Sequence, residues 1–150
     1  MKKPKDMQFH EAIGRRKEAV ARVRLYIAGK DKIAIVGESK MKPGEIVVNK
    51  KPVTTVFPSQ VDKARYMAPL ILTNNQERFA ISIIVRGGGK NGQLDAVAHG
   101  LSRALEKVDK ETNRPILKKA SLLTRDPRAK ERRKVGTGGK ARHKKQSPKR

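Results

Sequence analysis

Three glycines follow a spacing that lets a loop hold a phosphate group. Gly87, Gly89 and Gly92 stand between residues 79–85, an apolar run that predicts a covered central strand, and a stretch with helical spacing. Glycine lets the backbone approach a ligand closely, and a helix N-terminus offers free N–H groups and a partial positive charge to a phosphate. The motif therefore predicts a strand, a tight loop and a helix, in that order.

Three interpretations of this loop stay open. A dinucleotide-binding enzyme also needs a further strand ending in an acid about twenty residues later, whereas Asp109 and Glu111 fall at a helix end. The second interpretation is a plain strand-to-helix turn. The third is a loop that docks on nucleic-acid phosphates, which the neighbouring Arg86, Lys90 and Asn91 favour.

A second basic motif, Gly-Arg-Arg-Lys at residues 14–17, predicts a turn between two strands. Guanidinium forks match the geometry of phosphate oxygens, so Arg15, Arg16 and Lys17 are candidates for gripping a phosphate backbone. The alternative is a solvated hairpin tip.

The strongest charge signal lies in residues 125–150, which hold twelve Lys and Arg against Asp126 and Glu131. Val135 is the one sizeable apolar side chain there, so the segment cannot offset its ordering entropy by burial. We predict an arm that is disordered alone and folds onto a polyanion, with nucleic acid the strongest candidate. The predicted organisation is a flexible N-terminus at 1–7, a globular RNA-binding domain at 8–124 and a basic tail at 125–150.

Composition argues against several chemistries. The chain has 150 residues, a formal net charge of +23 and no cysteine, which removes thiolate metal sites and thiol nucleophiles. His10, His99 and His143 are too scattered for a metal cluster, and no nucleophile–base arrangement is visible. We therefore expect no cofactor, no metal and no enzymatic activity. No apolar run approaches the roughly 18 residues that span a membrane, so we predict a soluble, cytoplasmic protein without membrane partners.

The pattern of elements predicts an α+β fold. Ala19–Ile27 alternates apolar and polar residues as a half-buried strand with a cationic outer face, and residues 32–36 and 45–49 predict shorter strands. Residues 58–66 predict a brief helix, residues 94–108 a helix with one buried face, and Pro115 the start of a shorter one. Strands on both sides of a long helix favour a two-layer α/β sandwich.

Several of these motifs, in the same order, resemble the small-subunit ribosomal protein S9 family. Residues 14–17 with Ala21-Arg22-Val23 resemble its opening, residues 85–89 with 92–105 its central signature, and residues 123–136 its last block. The family's final Lys-Arg matches Lys149 and Arg150. The chain departs from the family pattern in being longer between Ile27 and Glu45, and in having no aromatic residue after Gln146.

The resemblance implies a four-stranded sheet backed by helices with a left-handed crossover, and a place in the head of the small ribosomal subunit. The partners it implies are small-subunit ribosomal RNA, neighbouring head proteins and the transfer RNA in the peptidyl site, with Lys149 and Arg150 contacting that transfer RNA. The residues predicted to bind ribosomal RNA are Arg15, Arg16, Lys17, Arg86, Gly87, Gly88, Gly89, Lys90, Arg103, Arg125, Arg128, Arg132, Arg133, Lys134, Lys140, Arg142, Lys144 and Lys145. A histone-like, sequence-neutral DNA binder is the alternative among nucleic-acid-binding proteins.

Overall fold

The computed structural model describes residues 9–27, 34–36 and 39–139. Its elements are β1 (Phe9–Arg16), β2 (Ala19–Ile27), β3 (Ala34–Val36), β4 (Ser39–Met41), β5 (Ile46–Val48), β6 (Lys51–Pro52), α1 (Val53–Val56), α2 (Gln60–Leu72), β7 (Phe79–Arg86), α3 (Lys90–Val108) and α4 (Lys110–Lys119). The fold is α+β, as the sequence predicts.

The main sheet is open and mixed, with strand order β1-β2-β7-β5-β6. β1 and β2 form an antiparallel hairpin, and β2 pairs antiparallel with β7. β7 is central, as its nearly continuous Ile and Val content indicates, and it pairs with β5 in parallel. A parallel neighbour requires the chain to cross over between β5 and β7, which it does through α1 and α2. The left-handed sense of that crossover stays a prediction.

The helices cover one face of the sheet, with α3 packed across β1 and β2, and α2 and α4 packed against α3. Alternate residues of β7, including Phe79, Ile81 and Ile83, point into the core between the layers. Leu94, Leu101 and Leu105 of α3 fill it from the other side. With buried Val97 they follow steps of three, four and four residues, which is the helical periodicity visible in the sequence.

Two details of the sheet correct the predictions. The sheet has five strands, because two-residue β6 returns against β5 after a turn in which Asn49 and Lys50 both have positive φ. Pro52 is tolerated there because β6 lies at the sheet edge. Residues 14–17 were predicted to be the turn itself, but residues 14–16 belong to β1 and the turn consists of Lys17 and Glu18.

The helix boundaries also differ from those predicted. α2 runs through Pro69 to Leu72. α4 begins five residues before Pro115, because the Asp109 side chain accepts a hydrogen bond from the Thr112 backbone N–H (3.1 Å) and caps the helix there. In both helices a proline therefore lies inside the helix and not in its first turn.

The longer region between Ile27 and Glu45 contains a small hairpin. The prediction for residues 32–36 implied a strand that returns along β2. In the structure β3 pairs with β4 instead. Met41 of this hairpin is buried against Tyr26 and Ala80 on the face of the sheet opposite the helices. The insertion therefore covers one end of that outer face.

Candidate nucleic-acid interface

The glycine loop between β7 and α3 is built around two glycines. Gly87 and Gly88 both have positive φ, and a Cβ at Gly87 would lie 2.6 Å from the carbonyl oxygen of Glu18 in the hairpin turn. Gly89 is different, because nothing lies within 4 Å of where its Cβ would be. Gly87 and Gly88 are therefore required by the turn itself, whereas Gly89 leaves open backbone at the start of α3.

The loop and the hairpin turn line an open cavity of about 410 Å³, to which three parts of the chain each contribute a lysine. Lys17 comes from the turn, Lys90 from the first residue of α3, and Lys130 from the segment after α4. Lys90 also forms an ion pair with Asp62 of α2 (3.1 Å), and Glu18 lines the same cavity. The cavity thus joins three cations from three parts of the chain, partly offset by two acids.

The strand order argues against a dinucleotide site at this loop. In the described residues after α3 the chain continues into α4 and then into a segment without strands, so no acid-bearing strand lies beside β7 on that side. The second requirement of the dinucleotide motif is therefore unmet. Within the same residues no group of three or more His, Asp or Glu side chains is placed to hold a metal ion.

Arg16 fastens the segment after α4 to the folded domain. Its guanidinium donates to the carbonyl oxygen of Arg128 (2.8 Å) and pairs with the carboxylates of Asp126 (3.0 Å) and Asp95 (3.6 Å). Only 15% of its side chain is exposed. Although predicted to contact RNA, Arg16 binds other parts of the protein in this structure.

Asp126 is the centre of this anchor. The Arg128 guanidinium and backbone N–H both donate to its carboxylate, at 2.7–3.1 Å, and Arg16 adds a further positive charge. These contacts hold the pKa of Asp126 well below its ordinary value. The carboxylate is therefore ionised at any pH at which the protein works, and the chain is held at its exit from the domain.

His99 fastens the same segment from the helix side. The Arg15 backbone N–H donates to Nδ1 (3.3 Å), so the proton of the neutral ring is on Nε2, which donates to the Leu123 carbonyl oxygen (3.3 Å). Partial burial lowers the pKa of His99 below its usual value, and the nearby charges of Arg103 and Arg125 act in the same direction. The residue was predicted to pack or to face RNA, and it serves as an internal link between β1 and the chain after α4.

A pH-dependent loss of stability follows from this arrangement. Because the pKa of His99 is lower in the folded state, the unfolded chain binds more protons as pH falls. The stabilisation is therefore complete above the unfolded pKa of about 6.5 and is lost as pH drops below it. We expect the free energy of unfolding to fall between pH 7.5 and 5.5 in urea titrations.

The variant His99→Gln separates this effect from other titrating groups. It should cost about 1 kcal/mol at pH 7.5, the scale of one or two hydrogen bonds. It should also flatten the pH dependence of unfolding over the same interval. A variant that retains the full pH dependence would contradict the role assigned to His99.

The side chains of α3 also cover the free edge of β1. Arg103 donates to the carbonyl oxygen of Ile13 (2.6 Å), and Lys107 donates to that of Glu11 (2.7 Å). His99, Arg103 and Lys107 are four residues apart along α3. Four helical residues rise about 6 Å, which is close to the length of two residues in a strand, so the successive side chains meet every second residue of β1. Arg103 was predicted to contact RNA, and in the structure its guanidinium also forms a hydrogen bond that covers the sheet edge.

A second cationic depression lies beside this covered edge. Arg15, Arg103, Lys107 and Arg125 line a cavity of about 490 Å³, with Glu11 as its acid. Arg15 and Arg125 also line a 310 Å³ cavity next to Asp126 and Arg128. The predicted cations therefore form a continuous surface from α3 to the hairpin.

The segment after α4 has no helix or strand over residues 121–139 and is exposed from residue 127 to 136. Arg132, Arg133 and Lys134 run past Glu18 at the hairpin turn, where they line a cavity of about 500 Å³. Val135 is 83% exposed, in agreement with the absence of a core there. The predicted contacts Lys140, Arg142, Lys144, Lys145, Lys149 and Arg150 lie outside the described residues.

Sequence reasoning missed two basic residues of this surface and one on the outer face of the sheet. Lys130 lies between two predicted contacts, Arg128 and Arg132, so charge density alone could have identified it. Lys107 follows Arg103 by one helical turn, a spacing that predicts a shared helix face. Arg22 is exposed on the outer face of β2, which the alternation in that strand had indicated to be cationic.

These features define the class of protein. The chain is a small α+β domain in which many of the described cations gather at the hairpin end of the sheet, a charge distribution typical of proteins that bind polyanions. A family model described as Ribosomal protein S9/S16 matches residues 14–150. The chain belongs to this family, which gives it a structural role in the small subunit of the ribosome.

Within the described residues, no helix is long and apolar enough to cross a membrane.

Proposed function

We propose that the protein binds small-subunit ribosomal RNA in the head of the subunit and that it contacts the transfer RNA in the peptidyl site through residues beyond 139. The proposal that the protein binds ribosomal RNA rests on one observation. The cations at the hairpin end come from three parts of the chain: Lys17 from the turn, Lys90 from α3, and Lys130 with residues 132–134 from the segment after α4. A surface assembled in this way suits a polyanion much larger than a metabolite.

The proposed mechanism is neutralisation of phosphate charge combined with recognition of RNA shape. Tyr66, Phe57 and Phe79 are at most 2% exposed, so these rings cannot stack on bases. Phe9 is exposed but lies under the Arg24 guanidinium, 4.7 Å from the ring centroid. Phosphate and sugar contacts need only Lys, Arg and backbone N–H groups, all of which this surface supplies.

Sedimentation of small subunits tests the ribosomal-RNA part. The tagged protein should remain with the small subunit after a moderate salt wash. The variant in which Arg132, Arg133 and Lys134 are replaced by Gln should be released at lower salt, because three phosphate contacts are removed. Recovery of the unmodified protein in the supernatant at low salt, with intact subunits, would contradict the proposal.

The transfer-RNA part makes a separate prediction. Removal of Lys149 and Arg150 should leave incorporation into subunits nearly unchanged, because the cations of the domain remain. It should weaken transfer-RNA binding to the peptidyl site by about 1 kcal/mol, the scale of one or two charge-assisted hydrogen bonds. Binding of transfer RNA to purified small subunits measures the effect.

A matched control is the double variant Lys118→Gln/Lys119→Gln, which removes two positive charges from exposed positions on α4. It should bind transfer RNA as the unmodified protein does. If the truncation also leaves binding unaltered across a range of salt, the transfer-RNA role is wrong and residues beyond 139 contact ribosomal RNA alone.

A further inference from the structure

The outer face of the sheet carries an ordered arrangement of arginines, of which the cavities of the interface include Arg15 but neither Arg22 nor Arg86. Pairing of β1 with β2 and of β2 with β7 aligns outward-facing residues in cross-strand rows. Two neighbouring rows alternate arginine with aliphatic side chains, and we call them the Arg–aliphatic patch: Ile13–Arg22–Ile84 and Arg15–Val20–Arg86.

This patch occupies the end of the outer face that is nearest the hairpin turn. At the other end of the strands Met41 covers Tyr26 and Ala80. In the row between, Arg24 is neutralised by Glu11 at 2.6 Å. The patch begins directly after that ion pair.

All six side chains of the patch are exposed, with Ile13, Val20 and Ile84 each at 39%. Within the described part of the chain, no acid forms an ion pair with any of its three arginines. Diagonal neighbours on a sheet are about 7–8 Å apart, so the three arginine positions are regularly spaced with aliphatic positions between them. A partner that docks here buries the aliphatic side chains between the arginines and gains the hydrophobic contribution of that area.

The chemistry of the patch selects RNA as that partner. Guanidinium forks fit phosphate oxygens, and aliphatic side chains can cover the apolar edges of ribose while forming no hydrogen bonds with bases. The patch is also continuous with the RNA surface proposed above, because Arg86 leads into the Gly87–Gly88 turn and Arg15 borders the cavity at Arg125. An acidic protein would need several carboxylates at the same spacing to match three arginines that have no acid beside them.

We propose that the Arg–aliphatic patch is a second RNA-docking surface, which binds the phosphate and ribose backbone of small-subunit ribosomal RNA without reading sequence. This inference rests on the proposed function. It extends the interface from the hairpin end onto the open face of the sheet and assigns Arg22 to RNA binding.

Matched charge variants of the full chain test the patch. Arg22→Gln/Arg86→Gln removes two charges from it, and Lys118→Gln/Lys119→Gln removes two from the helical side of the domain. In filter binding to small-subunit ribosomal RNA at fixed salt, the patch variant should lose affinity about tenfold or more and the control less than threefold. Circular dichroism should show the same fold in both, because all four positions are exposed.

The outcomes separate this inference from the proposed function. No binding by the unmodified chain would overturn the proposed function itself. Binding that both variants weaken equally would overturn only the docking surface, because the effect would then be general charge. A photo-crosslinking residue in place of Ile84 in purified small subunits should attach to RNA. Attachment to a protein, or no attachment, would overturn the assignment.

Discussion

Replacement of Gly14 by alanine is expected to destabilise the fold by about 3 kcal/mol or more, because β1 and α3 touch at this residue without room for a side chain. A Cβ at Gly14 would overlap the backbone carbonyl oxygen of Ala96 and the backbone nitrogen of Gly100, and would lie 2.7 Å from the Cα of Gly100. Backbone atoms cannot rotate away as a side chain can, so the strand and helix would have to separate. Urea or thermal unfolding of the purified variant measures the loss.

Alanine substitutions at two glycines of α3 should destabilise the fold less than the substitution at Gly14. At Gly100 a Cβ would lie 2.7 Å from a methyl group of Val23, so Gly100→Ala should cost less than Gly14→Ala, and alanine's higher helix propensity offsets part of it. At Gly92 the nearest atoms would be 3.6 Å away, an ordinary contact, so Gly92→Ala should be neutral or slightly stabilising. Equal stability of Gly14→Ala and Gly92→Ala would show that β1 and α3 do not pack as described.

Binding to small-subunit ribosomal RNA should weaken by two to three powers of ten between about 50 and 200 mM salt. If roughly half of the twelve cations in residues 125–150 meet phosphates, about six counterions are released, which gives a log–log slope near −4 to −5. Filter binding over a series of salt concentrations measures this slope. A slope near zero would contradict an electrostatic interface.

A shortened chain tests where those contacts lie. Removal of residues 140–150 deletes six of the twelve cations and leaves the described segment up to Gly139 in place. If both halves contact RNA equally, about three phosphate contacts are lost and the magnitude of the slope should fall by about 2. An unchanged slope would assign the phosphate contacts to the domain and to residues 125–139.

The contacts of Arg16 and His99 fix the path of the chain after α4. Both residues hold the chain after α4 against β1, so residues 129–134 leave the domain beside the hairpin turn and the glycine loop. Without these side-chain contacts, the basic segment could leave the domain in many orientations. Here the cations of the segment and those of the domain contribute to one surface, which lowers the ordering entropy that RNA binding must overcome.

The sequence by itself determined the class of partner and the main elements of the fold. Net charge adds up without reference to shape, and residues 125–136 are basic and coreless in any arrangement. The apolar runs of β2 and β7 and the helical spacing of α3 reflect local periodicity, which a single chain segment encodes. The family motifs are likewise ordered along the chain, so the resemblance could be recognised from sequence and is confirmed by the family match.

Only the tertiary structure decided what each cation does. Arg16, Lys17 and Arg103 look equally available in the sequence, yet Arg16 binds Asp126 from 110 positions away and Arg103 caps a carbonyl oxygen 90 positions away, while Lys17 lines an open cavity. The glycines divide in the same way, into Gly14 under a helix, Gly87 and Gly88 in a turn with positive φ, and Gly89 in open space. The reason is that steric contact and ion pairing depend on distances between residues far apart in the chain, and local sequence does not encode those distances.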